Sequence, residues 1–158
     1  MDRSLIEKYA ADASVPRRAI EGLSAADLNA LPIPGTWSIQ QIIVHLMDSD
    51  VIASDRMKRV VAMEKPLIAA YDETAFSQKL LYDRANVQMA ADIFEKNRLM
   101  TADLLRALPD AVFQRTGLHT ERGEITLEAL VKMYAGHVDS HMTHLRKKRA
   151  MLNKPRGW

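Results

Sequence analysis

Apolar residues recur at helical spacing in four segments of the chain, and polar residues occupy most of the positions between them. Pro16 falls inside the first segment, where it either kinks a helix or splits it in two. No segment alternates convincingly between apolar and polar residues as a strand does. Four amphipathic helices in one chain predict an all-α protein, a four-helix bundle. The predicted helices run from about Arg3 to Leu23, from Ser38 to Pro66, from about Asn86 to Leu108, and from Leu127 to about Leu152.

The predicted helix ends and connections refine this picture. Ser38 and Gln41 have the spacing of a capping box, and Thr126 is a favourable N-cap for the last helix. The stretch "LPIPG" breaks the chain before Ser38. The connection from Pro66 to Arg84 is longer than most loops between bundle helices. Long crossover connections therefore predict a bundle that is not simply up-down-up-down.

Composition restricts the possible functions. A chain of 158 residues with 47% hydrophobic and 27% charged residues suits one domain, 1–158, with a full core. A net charge of +2 gives no reason to expect a nucleic-acid partner. The absence of cysteine excludes disulfides, thiolate metal sites and a cysteine nucleophile, and is compatible with a reducing cytoplasm. Neither a signal region nor an apolar run of about 20 residues is found, so we expect a soluble cytoplasmic protein without a membrane partner.

Three of the five histidines lie in "YAGHVDSHMTHL", residues 134–145. Each helical residue turns the chain by about 100°, so His137, His141 and His144 share one face, and that face also carries apolar residues. His137 and His141 are one turn apart, as in zinc-binding helices with histidines at i and i+4. His144 lies about 10.5 Å along the axis from His137, too far to share one ion comfortably. The helix therefore offers one pair of ligands.

A third ligand has to come from another helix, and His45 at the edge of the second helix's apolar stripe is the obvious donor. Three neutral imidazoles on one ion leave a coordination position open, which is typical of a catalytic metal site. Nitrogen ligands suit zinc, nickel or iron. Spacing alone leaves a second interpretation equally open, in which the histidines are satisfied residues of the core.

Four stretches taken in order resemble the DinB-like superfamily of metal-binding four-helix bundles: "PGTWSIQQIIVHLMDSD", "KPLIAAYDETAF", "GLHTERGEITLEAL" and "YAGHVDSHMTHL", followed by a final "RGW". The resemblance is strongest to the branch described as metal-dependent hydrolases and bacillithiol transferases. It implies a metal site at His45, His137 and His141. It also implies non-sequential helix pairing and a homodimer.

Two positions depart from that branch. Phe76 stands where a tryptophan is usual, and Ser140 stands where a further histidine often precedes the His141 position. Both departures leave the substrate class open. His144 is interpreted as a supporting or structural residue.

A bound divalent ion could serve two reactions. The first is transfer of a low-molecular-weight thiol to an electrophilic small molecule, which the resemblance favours. The second is hydrolysis by hydroxide generated at the ion. A metal-binding stress protein without catalysis is a third hypothesis, and a purely structural dimer with core histidines is a fourth.

Several residues are candidates for supporting roles in that chemistry. Asp48, one turn beyond His45, and His119, on a connection, are the candidate proton carriers. For Asp48, a solvated carboxylate at the helix edge is the preferred interpretation. Tyr71 and Tyr82 flank the crossover and are candidate pocket walls, or simply core residues.

Overall fold

The computed structural model describes residues 1–157, so Trp158 of the "RGW" stretch lies outside the described residues. Seven helices and three short strands make up the regular structure of this part of the chain, together with 3-10 turns at Tyr82–Arg84 and Asp110–Gln114. The helices are α1 (Ser4–Ala11), α2 (Val15–Ile20), α3 (Ala25–Asn29), α4 (Ile39–Ala62), α5 (Glu73–Lys79), α6 (Val87–Ala107) and α7 (Leu127–Met151). The strands are β1 (Leu67–Ile68), β2 (Thr116–His119) and β3 (Gly123–Thr126).

The predicted four-helix bundle is confirmed. The long helix α4 packs on both α6 and α7, and α1 packs on the same two helices from the other side. The capping box is present: the Ser38 hydroxyl accepts a hydrogen bond from the Gln41 N–H, and the Gln41 side chain accepts one from the Ser38 N–H. Thr126 caps α7 by accepting a hydrogen bond from the Ala129 N–H. Local signals thus set the starts of the two helices that carry the candidate metal ligands.

The first predicted helix is two helices. It breaks after Ala11, and α2 begins at Val15, ahead of Pro16. Pro16 therefore lies in the first turn of α2, where its missing N–H leaves no hydrogen bond unmade. The short helices α3 and α5 were not predicted, because five and seven residues are too few to show helical periodicity.

Three short strands accompany the helices, although no segment of the sequence alternates convincingly as a strand. β1 pairs in parallel with β2, and β2 pairs antiparallel with β3. The strands have only two and four residues, too short to show alternation. A glycine suits position 117 in β2, because a Cβ there would lie 2.6 Å from Ile68 Cδ1 and 3.0 Å from the Pro66 carbonyl oxygen. The register places His119 opposite Ile68, so that β2 is joined to the connection between α4 and α5.

A buried ion pair lies within the bundle core. The Arg98 guanidinium donates from Nε to Asp50 Oδ1 at 3.0 Å, and both side chains are almost fully buried. Arg98 lies over the rings of Tyr9 and Phe94, and its NH2 group donates to the carbonyl of Tyr134 at 2.9 Å. This pair fixes α6 against α4 and α7 close to the histidines. Within the described residues, the helices are too short or too polar to cross a membrane.

Candidate metal centre

Three histidines from two helices converge inside the bundle. α4 packs on α7, and this contact places His45 beside the pair formed by His137 and His141. The Nε2 atoms of His137 and His141 are 3.0 Å apart, and one ligand nitrogen from each of the three rings lies within 4.8 Å of the others. The ring centroid of His45 lies 4.8 Å from that of His141 and 5.3 Å from that of His137. The structure thus brings together the residues that the sequence predicts as ligands.

All three rings are neutral near pH 7. Burial lowers the pKa of His45 to about 3, with the neighbouring His141 and His137 acting in the same direction. Burial and the adjacent His141 lower the pKa of His137 to about 4, and the charge of Arg98 adds to this effect. Burial and His144 lower the pKa of His141 to about 4. Neutral imidazoles keep a free lone pair, which is the form that binds a metal.

The donor set passes a test of fit for a divalent ion. His45 is fully buried, and within the part of the chain that the structure describes neither of its ring nitrogens has a hydrogen-bond partner. A buried polar group without a partner is unfavourable, so a core histidine would normally be satisfied by the protein. A cation shared with His137 and His141 supplies the missing partner. The residues present therefore fit a metal ion better than they fit a purely structural set.

Two cavities reach the histidines from different sides. One has a volume of 220 Å³ and is mainly apolar, with Trp37 and Ile42 among its walls next to His141. The Trp37 ring is stacked nearly parallel to His141 at 6.4 Å between centroids. The other has a volume of 210 Å³, reaches His137 and is lined by polar and charged side chains. The cluster is therefore open to small molecules, as expected of a catalytic site and not of a closed structural one.

Glu73 is a site residue that sequence reasoning missed. It lies in the first turn of α5, which Asp72 caps by accepting a hydrogen bond from the Ala75 N–H. Its Oε2 atom is 3.9 Å from His45 Nε2. Burial, assisted by Asp72, raises the pKa of Glu73. The signal was available in the "YDETAF" stretch, but nothing local showed that a helix would turn this carboxylate towards α4.

The two predicted proton carriers have different surroundings. Asp48 is partly buried and accepts a hydrogen bond from the Tyr82 hydroxyl at 2.6 Å. Of the described residues, it is not one that lines either cavity at the histidines. His119 lines the polar cavity, and its Nδ1 accepts a hydrogen bond from the Glu121 N–H at 3.2 Å. Burial lowers the pKa of His119, so its ring is also neutral.

The remaining predicted residues divide among the cavities, the core and the surface. Tyr71 lines the polar cavity, and Phe76 packs on its ring at 4.7 Å between centroids. Tyr82 is buried in the core. Ser140 is exposed on α7, whereas His144 lines the apolar cavity outside the cluster of three.

Comparison with known proteins agrees with this architecture. Residues 12–145 match the family model described as the DinB superfamily. A protein of Oceanobacillus iheyensis named "Putative metal-dependent hydrolase" is 32% identical over 112 residues, which cover 70% of this chain and 64% of the relative. The chain thus spans just under two thirds of that relative's length. A Bacillus subtilis protein with the same description, YfiT, is 29% identical over 143 residues, covering 90% of this chain and 78% of YfiT.

The solved structure of YfiT from Bacillus subtilis superposes on this chain with a TM-score of 0.88 at 25% identity. The superposition covers 95% of this chain and 86% of the other. That protein is described as a probable metal-dependent hydrolase with an unusual four-helix bundle topology.

Proposed function

Because the chain belongs to the DinB superfamily, we propose that it is a metal-dependent enzyme in which His45, His137 and His141 hold one divalent ion. The observation that carries this proposal is the convergence of three neutral imidazoles, one of which belongs to the fully buried His45, whose ring nitrogens have no hydrogen-bond partner in the described residues. Imidazole ligands suit zinc, nickel and iron. We propose zinc or nickel first, with iron as the alternative.

The reaction proposed is transfer of a low-molecular-weight thiol to an electrophilic small molecule. The resemblance to bacillithiol transferases supports this choice. A bound divalent ion lowers the pKa of a thiol or water that it holds, so that the nucleophile is available near neutral pH. Glu73 Oε2 is the acceptor for the proton that leaves, since it lies beside His45 and burial has raised its pKa. The apolar cavity beside Trp37 receives the apolar part of the electrophile.

Hydrolysis is the second candidate, and the names of the relatives favour it. The same carboxylate would then accept a proton from water. The two cavities that reach the histidines argue against a metal-binding stress protein without catalysis. The sequence-predicted proton carriers, Asp48 and His119, are alternatives to Glu73 in this proposal. We also propose a homodimer and a cytoplasmic location. The lack of cysteine supports the cytoplasmic location.

Elemental analysis of the untagged protein tests the metal site. We expect about one zinc, nickel or iron ion per chain, lost in a His137→Ala, His141→Ala double variant. His144→Ala is the matched control, because that histidine is on the same helix but outside the cluster, and it should keep the metal. A wild type that takes up no metal after incubation, or a double variant that keeps it, would sink the proposal.

The reaction is tested with the metal-loaded protein and two assays run side by side. The first follows adduct formation between bacillithiol or glutathione and chlorodinitrobenzene, and the second follows hydrolysis of a nitrophenyl ester without thiol. If the protein transfers thiols, the metal-loaded wild type should form the adduct and the double variant should not. Ester hydrolysis without adduct formation would replace the transferase by the hydrolase.

A further inference from the structure

We propose that the polar cavity on the His137 side is a subsite for an anionic group, a carboxylate or a phosphate, carried by the molecule that reacts at the histidines. This inference rests on the proposed function, because it names the substrate class of the same site. It is carried by the other side chains of the cavity and not by the three candidate metal ligands.

The first observation is a buried guanidinium without a counter-ion. Arg56 is only 7% exposed. It donates hydrogen bonds to the Tyr134 hydroxyl at 2.8 Å and to the Ala69 carbonyl, and both acceptors are neutral. No carboxylate among residues 1–157 lies within 4.0 Å of it in an ion pair. A buried cation that lacks a compensating charge is costly, and this one lines the cavity.

The second observation is that the neighbouring groups present hydrogen-bond donors. The Tyr71 hydroxyl is buried beside the Ser49 side chain, and burial raises its pKa to about 12, so it keeps its proton and remains a donor. His119 accepts at Nδ1 from the Glu121 N–H, which leaves Nε2 as the protonated nitrogen of the neutral ring. Arg122, at the turn between β2 and β3, adds a second guanidinium. An anion is the ligand that would satisfy these donors together.

Two carboxylates also line the cavity, Glu73 and Glu121. Neither forms an ion pair within 4.0 Å with Arg56 or Arg122 in the described part of the chain. Glu73 is turned towards His45 instead. At His119, burial is the main influence on the pKa, and the charges of both arginines lower it more than Glu121 raises it. At the His119 ring, the positive charges of the two arginines therefore act more strongly than the negative charge of Glu121.

The position of the subsite defines the ligand. The cavity of 210 Å³ is lined both by His137, a candidate metal ligand, and by Arg122 at the β2–β3 turn. A small molecule held here would have its anionic group at the arginines and its reacting atom at the histidines. A thiol or an electrophile with a carboxylate or phosphate a few bonds from the reacting atom meets this requirement. A neutral molecule of the same size does not.

Calorimetric titration of the metal-free wild type with succinate, inorganic phosphate and succinamide tests the inference. We expect saturable binding of succinate or phosphate, and none of the neutral succinamide. The tighter of the two anions identifies the group as a carboxylate or a phosphate. Equal binding of succinamide and succinate, or no saturable binding of either anion, would overturn the subsite.

Variants assign the binding to the cavity. Arg122→Gln should weaken anion binding by about tenfold or more, because it removes a charge-assisted hydrogen bond. Arg56→Met should weaken it at least as much, provided that circular dichroism shows a native fold. Arg84→Gln is the matched control: its side chain is 75% exposed and lies outside the cavity. If Arg122→Gln binds the anion as tightly as Arg84→Gln does, the inference is wrong. The assay uses neither metal nor turnover, so its outcome is independent of the metal proposal.

Discussion

Replacing His45 by leucine should make the metal-free protein more stable, although the residue is completely buried. One buried polar group without a partner costs about 1–3 kcal/mol, and the His45 ring has two such nitrogens. Leucine has a volume similar to that of histidine, and its imperfect packing should reduce the gain in stability by about 1 kcal/mol. We therefore expect a net increase of about 1–5 kcal/mol in the free energy of unfolding. In urea, with a slope of about 2 kcal/mol per molar, the midpoint should rise by about 0.5–2.5 M.

The same variant should lose the stabilisation that metal gives. At an ion concentration about one hundred times the dissociation constant, the wild type gains about 2.7 kcal/mol, and His45→Leu should gain far less. Urea unfolding, followed by far-ultraviolet circular dichroism with and without zinc or nickel, measures both effects on the same samples. A gain in stability without metal, together with a loss of the stabilisation by metal, distinguishes a metal ligand from an ordinary core residue.

Gln40→Leu is the matched control on the same helix. Gln40 is 6% exposed, but its side chain is satisfied: Nε2 donates to the Tyr82 and Ala85 carbonyls, and Oε1 accepts from Asn29. Removing it should lower stability by about 1–3 kcal/mol, because these partners are left unpaired. If His45→Leu lowers the metal-free midpoint as Gln40→Leu does, His45 is a satisfied structural residue and the reasoning fails.

Three further predictions follow from the site and the core. The metal-free protein should lose stability as the pH falls from 6.5 to about 4, by up to about 1.4 kcal/mol per pH unit for each site histidine. The reason is that the folded-state pKa of each is lowered to about 3 or 4, so in this window the unfolded chain binds more protons. Asp50→Leu should cost about 3–5 kcal/mol in thermal or urea unfolding, because it leaves the Arg98 charge buried, and adding Arg98→Met should restore most of it. Glu73→Gln should lower turnover by about 10²–10⁴, and by more than Asp48→Asn does, in the adduct assay.

Each of these predictions has a contradicting result. A urea midpoint of the metal-free protein that does not change between pH 7 and pH 5 would show that the histidines are not buried neutral groups. A double variant no more stable than Asp50→Leu alone would show that the loss is one of packing and not of charge. Turnover that falls more in Asp48→Asn than in Glu73→Gln would return the proton-carrier role to Asp48.

Much of the helical framework could be predicted, because its signals are local. The capping residues Ser38 and Thr126 mark the starts of α4 and α7 within one residue, since a cap hydrogen bond spans only three positions. The short strands could not be predicted in the same way. β1 and β2 are about fifty residues apart in the chain, and their pairing depends on tertiary packing and on the space that Gly117 leaves for Ile68.

In the candidate site too, some features could be predicted from the sequence and others could not. The sequence by itself determined that His137 and His141 face one way, because a spacing of four residues in a helix fixes their relative direction wherever the helix lies. Only the tertiary structure decided that His45 meets them. It also decided that Glu73 and not Asp48 lies nearest the cluster. In the same way, it placed Arg56 and Arg122 in one cavity. These neighbours come from separate elements, and the packing of α4 on α7 and the β1–β2 register bring them together. Such contacts leave no periodic trace in the sequence.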